Sequence, residues 1–246
     1  MLYVIDSQKR LFTSYEKKGV LRMINKKIDK EVYRIDCHTH PLAHTYYPKI
    51  IPKVELTSID KMSIESMIKS GISRGLDAIA ITDHNVCTSG LYGKKYAKDN
   101  NLPIIVVPGC ECSVKIDDKE IHILALGILQ PFDFSLNDDV AFIVDSIHIA
   151  GGIAVLAHPQ YYPNVYPLLK DLVDGVEYYN GVNAILTPGN SYFIELDKDR
   201  YTGIRTYGSD YHMNNFLQTE QRDAVAEISR ENDYALWCRI KLAGKR

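Results

Sequence analysis

The sequence lacks any apolar run close to the roughly 20 residues needed to cross a bilayer, and Asp6 interrupts its apolar start. A secretory signal peptide needs apolar continuity there, so we expect a cytoplasmic protein that does not enter a membrane. An excess of one charge is also missing, because 29 Lys and Arg face 31 Asp and Glu, for a net charge of −2. This balance argues against a dedicated nucleic-acid coat and leaves a local basic groove possible.

Cysteine is scarce, with five residues scattered over 246. An odd, sparse set excludes a disulfide scaffold and indicates a reducing compartment. The closest pair, Cys110 and Cys112, lacks the spacing and the second pair of a zinc knuckle, and we expect two apolar fillers.

Internal repeats, low-complexity tracts and Pro/Gly/Ser linkers are absent from the sequence, which favours one domain. Residues 1–30 are more charged and are predicted to form an N-terminal extension. Residues 31–246 are predicted to form one barrel domain that a helix over 219–242 closes.

Short β-branched runs alternate with stretches of helical period. Helices are predicted over 57–74, where Thr57 or Ser58 caps the start, and over 89–100 and 136–150. Asp117-Asp118-Lys119 predicts a tight turn and therefore a hairpin within 111–127. The pattern predicts an α/β fold, either a parallel barrel or a doubly wound sheet. Its seven strand-like runs are YRID (33–36), DAIAIT (77–82), PIIVVPG (103–109), EIHILALGI (120–128), GIAVLAHP (152–159), DGVEYYN (174–180) and GIRTYGSD (203–210).

Histidines gather at strand ends. Of the eight, only His148 falls inside a predicted helix, where an ordinary helical histidine is expected. The other seven lie at or just beyond the C-terminal end of a predicted strand. Because side chains from several strands converge at that edge in barrels and parallel sheets, we expect a cluster in space.

Each motif alone has a plain explanation. His38-x-His40 places two imidazoles on one face of the chain, a spacing that also occurs by chance. Asp83-His84 after a buried strand suits a loop cap, and His122 suits a core histidine. Glu111 follows a glycine turn between small residues, where a carboxylate could bridge two cations.

The motifs together supply two carboxylates and at least five imidazoles at strand ends. Mixed oxygen and imidazole ligands suit Zn, Mn or Fe in a site of two or three ions. Such ions activate a water molecule and neutralise both the attacking and the leaving oxygen of a phosphate ester. The set therefore favours metal-dependent hydrolysis of a phosphate ester.

The ordered motifs resemble those of the PHP (polymerase and histidinol phosphatase) domains. They are DCHTH (36–40), ITDHN (81–85), GCE (109–111), the downstream His122, AHP (157–159) and GSDYH (208–212). The resemblance covers about residues 33–214 and implies a distorted seven-stranded (β/α) barrel with two or three metal ions at the strands' C-terminal ends. It also implies a phosphatase of small monoesters or an exonuclease, acting on a small phosphorylated substrate, a nucleotide or a nucleic-acid end.

The resemblance further implies ligands for three ions. The first would be held by His38, His40, Glu111 and Asp210. The second would share Glu111 and add His122 and His158. The third would be held by His84 and His212.

One position departs from the family's pattern. Where many relatives carry an aspartate shortly after the His-x-His, this chain has PLAHTYYPK, and His44 is the nearest candidate ligand. His212 is predicted to act in catalysis as well as in metal binding. Asp83 is predicted to act in catalysis by orienting an imidazole, and Asp36 to play a similar orienting part.

Two other functions stay open. Related barrels with His-x-His cleave C–N bonds as amidohydrolases, which a bridging lysine on a middle strand would favour. A non-catalytic, metal-stabilised module is the other alternative. Tyrosines around the predicted crevice suit base stacking or an amphipathic rim; they are Tyr46, Tyr47, Tyr161, Tyr162, Tyr178, Tyr179 and Tyr211. No phosphate contact is assigned to Lys94, Lys95 or Arg205.

Overall fold

A computed structural model of the chain describes residues 32–182, 201, 203–213 and 238–241. Its helices are α1 (Ser58–Ser73), α2 (Thr88–Asp99), α3 (Val140–Ile149) and α4 (Tyr166–Leu169), with a 3₁₀ turn at Pro159–Tyr161. Its strands are β1 (Val32–Asp36), β2 (Thr39–His40), β3 (Ala78–Ile81), β4 (Ile105–Ile116), β5 (Lys119–Leu126), β6 (Ile153–Leu156), β7 (Gly175–Asn180), β8 (Ile204–Gly208), β9 (Tyr211–His212) and β10 (Cys238–Lys241).

Seven strands form a nearly closed, barrel-like sheet in the order β1-β3-β4-β5-β6-β7-β8. Neighbouring strands run parallel except β5, which is antiparallel to both β4 and β6. The Cys37 N–H, just after β1, donates to the Tyr207 carbonyl of β8 over 3.0 Å and draws the two ends of the sheet together. The predicted distorted (β/α) barrel is confirmed, and the doubly wound alternative is wrong.

The strands sort their side chains between an interior and a helix-covered exterior. On β3, Ala78 and Ala80 join the apolar interior, whereas Ile79 and Ile81 pack with α1 and α2. This alternation follows from the two-residue period of a strand. A third apolar cluster joins β4, β5 and β6 to α3.

The helix starts follow from their capping residues. Thr57 caps α1, since its hydroxyl accepts from the Asp60 N–H and the Asp60 carboxylate accepts from the Thr57 N–H. Asp139 caps α3, which therefore begins at Val140, later than the predicted start at 136. Ile59 and Met62 fit the apolar period of α1 but are 59% and 57% exposed.

The predicted hairpin is present. Ile116 of β4 pairs with Lys119 of β5 around the Asp117-Asp118 turn. This geometry corrects the expected place of His122, which lies near the start of its strand rather than beyond its end. Because β5 is antiparallel, its start reaches the same edge of the barrel as the C-terminal ends of the parallel strands.

The C-terminal segment differs from the prediction. Residues 238–241 form β10, antiparallel to β1, where a helix is predicted. The sequence Cys-Arg-Ile-Lys alternates apolar and charged residues, which suits a strand, and its pairing covers the free edge of β1. The rest of the predicted helix and residues 1–30 lie outside the described residues. Within the described part, every helix is too short or too polar to cross a membrane.

Candidate metal centre

Glu111 lies at the centre of the site, fully buried on β4. Five imidazoles from four segments of the chain converge on its two carboxylate oxygens. The distances are His84 Nδ1 to Oε2, 2.8 Å; His158 Nε2 to Oε1, 2.9 Å; His122 Nδ1 to Oε1, 3.0 Å; His38 Nε2 to Oε1, 3.4 Å; and His40 Nε2 to Oε2, 3.4 Å. The structure therefore brings together histidines that are up to 120 positions apart in the chain.

Asp210 supplies the second carboxylate. Its Oδ1 lies 3.1 Å from His40 Nε2, 3.4 Å from His38 Nε2 and 3.6 Å from His212 Nδ1. On its other ring nitrogen, His212 Nε2 is 3.1 Å from His84 Nε2. The two carboxylates and the surrounding imidazoles thus form one continuous cluster.

Backbone pairing explains how distant motifs meet. The two-residue strands β2 and β9 run parallel, with His40 in register with His212. The Asp210 N–H donates to the His38 carbonyl over 2.9 Å. These contacts fix the first and last motifs side by side.

Several buried polar atoms in the cluster make no hydrogen bond. They include His38 Nε2, His40 Nε2, Glu111 Oε2 and Asp210 Oδ1. Burying such groups without a partner costs free energy, and in a native protein a bound ion often accounts for it. Converging imidazole nitrogens and carboxylate oxygens match the ligand preference of Zn, Mn or Fe, so the residues fit divalent metals.

Among the described residues, three sets of candidate ligand atoms lie within 4.8 Å of one another. They are His38, His40 and Asp210; His84, Glu111 and His122; and His40, His84 and His212. The sets share residues, as expected of adjacent ions that share ligands. How many ions bind, and which, stays a prediction.

Two predicted ligands lie outside these sets. His158 Nε2 lies 3.4 Å from His122 Nδ1 and 2.9 Å from Glu111 Oε1. His44 is exposed, and its ring stacks on His212 with centroids 4.6 Å apart and on His84 at 5.3 Å. His44 therefore borders the cluster, and its part in a third metal site stays a prediction.

Mutual electrostatics keep the carboxylates ionised. Burial would raise the pKa of Glu111, but the imidazoles of His122, His84 and His38 lower it well below its usual value. Burial would likewise raise the pKa of Asp210, which His38 and His40 hold far below its usual range. The site therefore presents two buried anions, as a site for cations requires.

The predicted orienting residues contact backbone. Asp83 Oδ1 accepts from the Leu42 N–H over 2.7 Å, and burial raises the pKa of Asp83 to about 7. Asp36 accepts from the backbone N–H groups of Ser209, over 2.9 Å, and His38, over 3.2 Å. Asp83 and Asp36 are predicted to orient imidazoles. In the structure their carboxylates instead bind backbone N–H groups of the loops that carry the predicted ligands. The catalytic role of Asp83 stays a prediction.

Sequence reasoning missed two carboxylates that hold the imidazoles, and it assigned no such contact to Tyr162. Glu177 accepts from His38 Nδ1 at 2.9 Å, and Glu120 lies 3.2 Å from His122 Nε2. Tyr162 is buried with its hydroxyl 3.3 Å from His158 Nδ1. A signal existed for Glu177, because it is an acidic residue inside a predicted strand, DGVEYYN. Glu120 carries no comparable sequence signal, whereas Tyr162 is one of the tyrosines predicted around the crevice and does line the cleft.

An open cleft of about 490 Å³ leads to the cluster. Tyr47 and Tyr161 line it, and Tyr47 also donates to Glu120 over 3.1 Å. Tyr46 instead donates to Asp60 over 2.7 Å, away from the cleft. The lining residues are His44, Tyr47, His84, Lys119, Glu120, His122, His158, Tyr161, Tyr162, Asp210 and His212.

The remaining candidates lie away from the cleft. The Arg205 guanidinium stacks over the Tyr178 ring at 5.1 Å. Lys95 pairs with Asp99 on the surface of α2. His148 lies on α3, as expected, 2.7 Å from Asp174.

Comparisons with known proteins agree with this architecture. An uncharacterized protein of Methanocaldococcus jannaschii, MJ1587, is 28% identical over 120 residues, which are 47% of this chain and 64% of that protein. The match thus spans less than two thirds of this curated relative.

Two solved structures share the fold. An amidohydrolase from Chromobacterium violaceum, with bound sulfate and no metal, aligns with a TM-score of 0.51 at 16% identity, over 84% of this chain and 98% of that one. A provisionally assigned metal-dependent phosphoesterase from Bifidobacterium adolescentis aligns with a TM-score of 0.51 at 15% identity, over 80% of this chain and 95% of that one.

The family model of the PHP domain matches residues 58–228. The matched segment includes all the predicted ligands except His38, His40 and His44, which lie upstream of it. Because the match covers more than half of the chain, the protein belongs to the PHP domain family.

Proposed function

We propose that the protein is a metal-dependent phosphoesterase that hydrolyses a small phosphate ester at the cluster around Glu111. The observation that carries the proposal is the set of buried imidazole and carboxylate atoms without hydrogen bonds. Membership of the PHP family and the Bifidobacterium relative of the same fold support it.

The ligand roles follow from the distances between the candidate ligand atoms. His38, His40 and Asp210 would hold one ion, and His84, Glu111 and His122 a second. Divalent ions in these positions would supply Lewis-acid activation of a water molecule and neutralise the charge that develops on the ester oxygens. His158, 2.9 Å from Glu111 Oε1, would add a ligand at the second position.

His212 is suited to bind a cation through Nε2. Its Nδ1 lies 2.8 Å from the Asp210 carbonyl, an acceptor that requires the proton on Nδ1. Nε2 is then bare. Burial lowers the pKa of His212 to about 4, so the ring is neutral near pH 7. A neutral ring whose Nε2 carries no proton can bind a cation, while its low pKa makes it a weak proton acceptor near pH 7, and its predicted part in catalysis stays a prediction.

The bridging position favours phosphoester over amide hydrolysis. The buried residue at the centre of the cluster is a glutamate. Of the described residues on β4 and β5, the lysines are Lys115 and Lys119, both exposed near the hairpin turn. A bridging lysine of the amidohydrolase type is therefore not provided by these two strands.

The cleft suits a small ester with an extended leaving group. Tyr47 and Tyr161 present rings beside the cluster, with centroids 4.9 Å from the His84 ring and 5.1 Å from the His158 ring. Aromatic rings in such places stack on a base, a sugar or an aryl group. A nucleotide or a nucleic-acid end thus stays within the proposed range of substrates.

Metal analysis and ester hydrolysis test the proposal together. Purified protein is assayed for bound metal, then for turnover of an aryl phosphate monoester, the matching diester and an aryl amide with added Mn or Zn. We expect bound metal and chelator-sensitive turnover of an ester, with a monoester preference for a phosphatase and a diester preference for an exonuclease.

Matched variants locate the activity. His38→Ala and Asp210→Ala should abolish turnover, whereas His148→Ala, which removes a histidine remote from the cleft, should retain it. Full activity of both site variants, or turnover of the amide alone, would refute the phosphoesterase.

A further inference from the structure

Glu177 of β7 lies beneath the metal ligands, fully buried, and does not belong to any of the three ligand sets. A carboxylate without access to water is costly unless several donors compensate it. Its contacts therefore indicate what it does.

Glu177 receives hydrogen bonds from three directions. Oε1 lies 2.9 Å from His38 Nδ1, while Oε2 accepts from the His158 backbone N–H over 2.8 Å and from Asn180 Nδ2 over 3.0 Å. The same amide nitrogen of Asn180 also donates to Asp210 Oδ2 over 3.2 Å. Glu177 and Asn180 thus contact three of the predicted ligands.

The contact with His38 fixes which ring nitrogen is free. A carboxylate acceptor keeps the proton on Nδ1, so Nε2 is the nitrogen without a proton in a neutral ring. That Nε2 lies 3.4 Å from both Glu111 Oε1 and Asp210 Oδ1. Glu177 therefore directs the metal-binding atom of His38 towards the two anions of the cluster.

The other two contacts hold ligands whose backbone is strained. His158 has a φ of 26° and Asp210 a φ of 54°, in the region that side chains with a Cβ seldom adopt. Such conformations persist when surrounding hydrogen bonds enforce them. The Glu177 bond to the His158 N–H and the Asn180 bond to the Asp210 carboxylate are bonds of that kind.

We infer that Glu177 is a positioning residue for the metal centre, which sets the tautomer of His38 and, with Asn180, holds His158 and Asp210 in place for metal binding. The inference rests on the proposed metal site. It is independent of which ester, if any, the protein hydrolyses.

Glu177→Gln is a direct test because it keeps the size of the side chain and changes only its hydrogen-bonding capacity. The two carboxylate oxygens accept from three N–H groups, and the glutamine amide replaces one oxygen with an NH₂ group. At least one donor then faces another donor. Outer-shell changes of this kind typically lower metal affinity about 10- to 100-fold.

Asp60→Asn provides the matched control. Asp60 is also a buried carboxylate with three donors, the Tyr46 hydroxyl and the Thr57 N–H and hydroxyl, but it caps α1. If Glu177 acts only by stabilising the fold, the two variants should show the same metal affinity. Zn affinity is measured by competition with a chromophoric chelator, and melting temperature is measured in parallel.

We expect Glu177→Gln to bind Zn at least tenfold more weakly than both wild type and Asp60→Asn. Wild-type affinity in Glu177→Gln would overturn the inference. Wild-type protein that binds metal without hydrolysing any ester would refute the phosphoesterase and leave the inference intact. Wild-type protein without metal affinity would refute both.

A measurement on wild type covers the case in which Glu177→Gln does not fold. Nitrogen-15 NMR of the Zn-loaded protein reports which ring nitrogen of His38 carries the proton. A proton on Nδ1 is expected, and a proton on Nε2 would overturn the inference.

Discussion

The chain holds buried or half-buried histidines in two contrasting surroundings. On α3, His148 Nε2 meets one carboxylate, Asp174 at 2.7 Å, and that carboxylate also accepts the Ala154 N–H over 2.7 Å. At the barrel edge, His40 Nε2 lies near two carboxylates, yet both its ring nitrogens lack a hydrogen bond. The first arrangement is complete without a ligand, whereas the second would be completed by a cation.

The contrast shows that the number of histidines alone does not mark a function. What distinguishes the cluster is that several buried imidazole nitrogens surround two carboxylates, and that nitrogens and oxygens of both kinds of group are left without a hydrogen bond. The predictions below test that distinction, beginning with the residue on which most of the imidazoles converge.

Glu111→Gln should have the largest effect. It removes the negative charge that five imidazoles approach. We expect metal affinity and ester turnover to fall at least about 100-fold, the upper end of what outer residues cost, measured by chelator competition and by initial rates. Glu65→Gln serves as control, since Glu65 of α1 accepts from the Tyr92 hydroxyl of α2 over 2.7 Å and pairs with Lys69 at 4.0 Å, without a contact to the cluster. Wild-type affinity in Glu111→Gln would mean that the cluster is not a metal centre.

Much of this centre was accessible from the sequence because strands impose a simple geometry. The His38-x-His40 spacing and the strand-end places of His84, His158 and Asp210 predict convergence, and the structure brings them together. His122 was expected at the same edge for an incomplete reason. It reaches that edge because β5 is antiparallel, which the hairpin signal indicates and the simple β-α alternation does not.

The supporting residues were less predictable because they depend on packing between distant elements. Glu177 reaches His38 across 139 positions, and Tyr162 reaches the His122 backbone across 40. Neither spacing is a motif. Residues 238–241 are predicted as part of a helix, yet they form strand β10. Pairing with the edge of β1, which depends on the tertiary structure, decides the outcome.

Glu120→Gln should have an intermediate effect. Glu120 lies 3.2 Å from His122 Nε2, and that contact directs Nδ1 of the same ring towards Glu111. The hydrogen bond to His122 lowers the pKa of Glu120 to about 2, so the partner is a carboxylate. We expect metal affinity to fall about tenfold, at the low end for outer-shell residues.

Tyr47→Phe should have a smaller effect than Glu120→Gln. Tyr47→Phe removes only the hydroxyl that donates to Glu120 and keeps the ring beside the cleft. Metal affinity should then fall less than in Glu120→Gln. If Tyr47→Phe equals or exceeds Glu120→Gln, the orientation of His122 does not depend on Glu120, and the ring environment of the cleft matters more.

His148→Gln should have the smallest effect and should leave metal binding unchanged. The hydrogen bond to Asp174 raises the pKa of His148, against partial burial. A raised folded-state pKa stabilises the fold below the ordinary value of about 6.5, and this contribution is lost as pH rises through the folded pKa. Because the imidazole is one third exposed, solvent screening limits the contribution to about 1 kcal/mol or less. Urea unfolding should therefore show wild type more stable than the variant at pH 6 and the difference shrinking by pH 9. A difference that is constant with pH would assign the stability to packing rather than to charge.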